Sequence, residues 1–166
     1  MTLAPEGRRA NLAKSLNAYF ATLFLSTLGV QVHFPDDPGV FTPSAARWVR
    51  LDYLFGTTRE WMGSLTDSGA QGNVVTGLIN INCCEIVSRM TDRYALDALQ
   101  DAIRDTLGEG ASIPIRDYAT GGTPVVGYAS IRATNENPVQ DGRGADSSGI
   151  KIQNLSYTIV YLEPHS

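Results

Sequence analysis

The sequence predicts an α+β domain: a mixed or antiparallel β-sheet of about four to five strands packed by two α-helices, with long inter-strand loops. Three observations carry that expectation. Two segments repeat apolar residues every three or four positions, the period of a helix face. Several others alternate apolar and polar residues, the period of a half-buried strand. The order runs helix, strands, helix, strands, which suits helices laid on one face of a sheet rather than alternating βαβ units. The whole chain, 166 residues with 43% hydrophobic and 18% charged residues, reads as one soluble domain over residues 1–166.

The first helix is expected over residues 2–28. Pro5 suits a first turn and Glu6 suits the positive N-terminal end, while Leu12, Leu16, Tyr19, Phe20, Leu23, Phe24 and Leu28 form one face. Gly29 is the natural stop. A short strand follows over residues 30–34, closed by the turn Pro35-Asp36-Asp37-Pro38-Gly39.

Residues 47–55 form a strand with Val49, Leu51, Tyr53 and Phe55 on one side and Trp48, Arg50, Asp52 and Leu54 on the other. One apolar and one mixed side fit a sheet covered by helices on one face only. Residues 57–76 read as a long connection rich in glycine (Gly63, Gly69, Gly72). Long structureless loops in compact domains are often functional. Arg59, Glu60, Trp61 and Met62 are therefore the candidate partner-contact residues, with folding back onto their own core as the other reading.

The next strand spans residues 78–87, with Ile79, Ile81, Cys83, Glu85 and Val87 on one face and Leu78, Asn80, Asn82, Cys84 and Ile86 on the other. Thr91 or Asp92 can cap a second helix that runs to Leu107 through Ala95, Leu96, Leu99, Ala102 and Ile103. Pro114 marks residues 113–118 as an edge strand. A turn at Gly121-Gly122-Thr123-Pro124 leads to a strand over residues 125–134. A polar, glycine-rich loop over 137–149 precedes the last strand, 150–163, with Leu155, Tyr157, Ile159 and Tyr161 on one face.

Charge and motifs exclude more than they assign. Thirteen Lys and Arg against seventeen Asp and Glu give a net charge of −4, and no basic cluster exceeds Arg8-Arg9 and the Arg47/Arg50 pair. Tight phosphate binding needs several converging cations, so a DNA-gripping role is not expected. The most apolar stretch, residues 18–30, is interrupted by Tyr19, Thr22, Ser26 and Thr27 and does not read as a membrane span or a signal peptide. Adjacent Cys83 and Cys84 point to opposite faces of a strand and cannot form an unstrained disulfide, so they read as core thiols in a reducing compartment. No phosphate-binding loop, H-E-x-x-H or nucleophile elbow occurs, and His33 and His165 stand alone. Asp36 and Asp37 read as turn residues, and the stretch Asp141 to Asp146 lacks the spacing of a calcium loop. No catalytic, cofactor or metal residues are expected, and no enzyme activity.

One arrangement carries a positive signal. An N-terminal helix leads to Val32-His33-Phe34-Pro35, then to the strand Arg47-Trp48-Val49-Arg50-Leu51-Asp52. A long loop follows, then Gly77-Leu78-Ile79-Asn80-Ile81-Asn82-Cys83, then the helix with Leu96, Leu99, Ile103 and Leu107. This order resembles the tail terminator (tail completion) proteins of long-tailed bacteriophages, over residues 12–107 and by general pattern beyond them. The resemblance implies a virion protein of the tail and neck, assembled in the bacterial cytoplasm as a homo-oligomeric ring, usually a hexamer. Such a ring caps the tail tube protein and meets the head–tail connector. DNA passes through its lumen without specific binding, and no membrane or cofactor is involved. The nearest alternative is another head–tail joining or adaptor protein. A distant one is a small ligand-binding or hydrolytic domain with Asp52, Arg50 and His33 in a pocket.

Overall fold

The computed structural model describes residues 5–35, 37–61, 72–108, 111–119, 123–133 and 149–164. Helix α1 covers Pro5–Ala21 and continues as a wider π-helical stretch, Thr22–Thr27. Strands β1 (Gln31–His33), β2 (Arg47–Trp61) and β3 (Gly72–Ile86) follow. A single 3-10 turn, Val87–Arg89, precedes α2, Ala95–Leu107. Strands β4 (Ala111–Arg116), β5 (Val125–Ala133) and β6 (Ile150–Pro164) complete the chain. The six strands form one mixed sheet in the order β1-β2-β3-β6-β5-β4. Only β1 and β2 run parallel; the other neighbours are antiparallel. The α+β class is as expected, with one or two strands more than the sequence suggested, because three-residue β1 and proline-bearing β4 both qualify as edges.

Both helices supply the same core. Leu12, Leu16, Phe20, Leu23 and Phe24 from the first, and Leu96, Leu99, Ile103 and Leu107 from the second, pack with Val49, Leu51, Ile79, Ile81, Leu155, Tyr157, Ile159 and Tyr161 of the sheet. The ring of Phe20 stacks on Phe24, centroids 5.8 Å apart, and on Tyr53 at 6.4 Å. Leu23 and Phe24 are both buried, as their places on the helix's apolar stripe require, and Gly29, at φ 63°, follows the end of the π stretch.

Three expectations are corrected. The connection expected over residues 57–76 is strand at both ends: β2 runs on to Trp61 and β3 starts at Gly72, so Thr58, Arg59, Glu60 and Trp61 pair with Val75, Val74, Asn73 and Gly72, while residues 62–71 lie outside the described residues. A register irregularity between Phe55 and Thr58 masks this continuation, because it breaks the period-2 alternation. Helix α2 begins at Ala95 rather than just after Thr91 or Asp92; the Asp92 carboxylate accepts the Tyr94 amide at 2.9 Å in a turn before the helix. Val87 leaves the strand for the 3-10 turn and is exposed. Met62 and the loop over 137–148 lie outside the described residues.

Candidate functional site

The helix-free face of the sheet is the surface on which this chain concentrates polar side chains in fixed geometry. Alternation along β2 sends Trp48, Arg50, Asp52 and Leu54 to that face. The register sets them opposite Cys84, Asn82, Asn80 and Leu78 of β3, which in turn face Ile152, Asn154, Ser156 and Thr158 of β6. A chain of hydrogen bonds crosses the three strands. The Asn154 amide donates to Asn82 Oδ1 at 2.9 Å, and the Asn82 amide donates to Asp52 Oδ2 at 2.8 Å. The Arg50 Nε–Asp52 Oδ2 distance of 3.5 Å ends the chain in an ion pair. At its other end the Ser156 hydroxyl lies 2.8 Å from both Asn80 Oδ1 and Asn154 Oδ1 and, with one proton, donates to one at a time.

Apolar groups flank this ladder on both sides. Toward the start of β2, Phe41 from the β1–β2 connection lies over the sheet, stacked on the His33 imidazole at 4.6 Å and tilted against Trp48 at 6.1 Å. Trp48 and its cross-strand neighbour Cys84 are buried on this face, which gives it a small second core. Toward the far end, Leu54 and Leu78 are cross-strand partners and both exposed, at 59% and 40%.

His33, Arg50 and Asp52 do share this face, with His33 in register with Arg50. The His33 ring stacks on Phe41, and the Asp52 carboxylate contacts Arg50 and Asn82. These contacts hold the side chains in fixed positions on the face. Among the described residues, no group of three or more His, Cys, Asp or Glu side chains could hold a metal ion. No described helix is long and apolar enough to cross a membrane. Cys83 and Cys84 are buried, and the Cys84 thiol donates to the Asn82 carbonyl at 3.5 Å; burial first, then the neighbouring Cys84, pushes the Cys83 thiol up to about 12 against the opposing pull of Arg104. A thiol so protonated is a poor nucleophile.

Arg59, Glu60 and Trp61 lie on the last rungs of the β2–β3 hairpin, where β1 no longer pairs with β2. Strand β6 supports the other side of β3 there, Pro164 opposite Gly72 and Tyr161 opposite Val75. Arg59, Glu60 and Trp61 are thus carried on a three-stranded ladder and not on a loose loop.

The amide ladder escaped the sequence reading. Its signal was present as Asn80 and Asn82 two apart in one strand and Asn154 and Ser156 two apart in another. Only the β3–β6 register joins them.

No protein-family model matches the chain, and no curated protein does. A solved structure whose name says nothing of its role aligns with 96% of this chain and 96% of its own, at a TM-score of 0.53 and 15% identity. Similarity at that identity establishes a shared fold class across the full length, an α+β domain with a single mixed sheet, and nothing of activity.

Proposed function

We propose that this chain is a structural, non-catalytic virion protein: a ring-forming tail terminator that caps a phage tail tube and joins it to the head connector. The order helix, short strand, strand, strand, helix, on which the resemblance to that family rests, supports the reading, and the hairpin that carries Arg59, Glu60 and Trp61 is the observation that supports it best. Its two strands have 15 residues each, and at ~3.3 Å per residue each spans roughly 50 Å. A compact domain of this size has a radius of gyration of about 15 Å, hence a width of roughly 40 Å. A hairpin of that length can reach past the body of its own subunit to a partner stacked along a ring axis.

Ring closure needs two different patches on each subunit. The exposed Leu54–Leu78 pair and the hairpin end are two such patches on one molecule. A ladder whose polar groups bond one another also lowers the desolvation cost of covering that face.

Deleting residues 59–69 in the phage tests the hairpin's role. Expected are tails that fail to join heads; recovery of normal-length tails joined to heads would remove the hairpin from the proposal.

A further inference from the structure

A second group of polar side chains lies on the opposite face, under α2. Glu85, Gln100 and Gln153 are 1%, 2% and 3% exposed, and each keeps one polar atom without a hydrogen-bond partner: Glu85 Oε2, Gln100 Nε2 and Gln153 Oε1. Buried unpaired groups of this kind cost about 1–3 kcal/mol each, so three in one region call for a shared partner.

The topology brings them together. Gln153 pairs with Cys83, and Glu85 is two residues further along the same face of β3, a diagonal neighbour within reach of long side chains. The Gln153 amide donates to Asp97 Oδ1 at 2.9 Å, which pins it under the first turn of α2. Gln100 follows Asp97 by three residues, on the neighbouring helix position. Helix α2 packs against β3, and Gln100 is on its buried side.

We infer that Glu85, Gln100 and Gln153 form a binding site for one buried water molecule that bridges α2 to strands β3 and β6. The donor and acceptor count fits water and little else. Its two protons go to Glu85 Oε2 and Gln153 Oε1, and its oxygen accepts from Gln100 Nε2, three bonds in all, the usual number for an internal water. A bare cation would be repelled by the Gln100 N–H, and an anion by the Glu85 carboxylate. Arg47, at 3.7 Å from Glu85 Oε1, balances the carboxylate charge from the solvent side.

A crystal structure of the chain in the assembly it adopts tests this directly. Expected is a single ordered water within hydrogen-bond distance of all three atoms. In the Gln100→Met variant, which keeps the side-chain length and removes the donor, that water should be lost. Glu85 Oε2 in direct contact with Gln153 Oε1, or the same water at full occupancy in Gln100→Met, would overturn the inference.

Discussion

The Ser15 hydroxyl of helix α1 accepts the backbone amide of Arg116 on strand β4 at 2.9 Å, across 101 residues of sequence. One turn earlier, Asn11 Oδ1 accepts the Tyr118 amide at 3.1 Å while its own amide donates to Asp117 at 3.1 Å. Two helix side chains thus occupy donors at the end of a sheet edge, where Pro114 already lacks one. Replacing Ser15 by alanine leaves the Arg116 amide without its acceptor and should cost about 1–3 kcal/mol. Urea denaturation of Ser15→Ala and Asn11→Ala checks this; unchanged midpoints would show that solvent replaces both bonds.

Gly77 is held by close approach. A Cβ there would lie 2.6 Å from the Leu54 carbonyl oxygen and 3.2 Å from Ile159 Cγ2. Gly77→Ala must push β3 away from β2 or β6, and overpacking of this kind costs about 1–3 kcal/mol. Thermal denaturation should show a clear loss, larger than for Gly39→Ala, where the nearest atom to the added carbon would be the flexible Asp37 carboxylate at 3.5 Å.

Glu85 makes stability depend on pH. Burial raises its pKa above the ordinary 4.5, while Arg47 and Lys151 pull it down and Asp92 pushes it further up. With the folded value above the unfolded one, its stabilising contribution is fully present below the unfolded pKa. It is lost as pH rises through the folded pKa. Denaturation midpoints should therefore fall as pH climbs from 4.5 toward neutrality, and Glu85→Gln should flatten that slope. An identical slope in the variant would assign the dependence to other groups.

Much of the fold was legible because local period and burial agree. Leu12, Leu16 and Phe20 mark a helix face, and Leu155, Tyr157, Ile159 and Tyr161 mark a strand face, and all are buried. Pro114 identified an edge strand correctly. The hairpin beyond Phe55 was hidden because an irregular register and scattered glycines look like loop chemistry. The amide ladder and the Glu85–Gln100–Gln153 group were hidden for another reason. Each residue is an ordinary polar residue in sequence, and only strand register or helix docking gives it a neighbour. Candidate contact residues could be placed on an element, but no pattern in one chain's sequence encodes the surface of a second molecule.

The central claim, that the chain ends tail growth and joins the tube to the head, is tested most directly by negative-stain microscopy of particles made without it. The account predicts overlong tail tubes and free heads, with normal lengths restored when the protein is supplied. Tails of normal length in its absence would contradict it and favour a joining protein acting after the tail is complete.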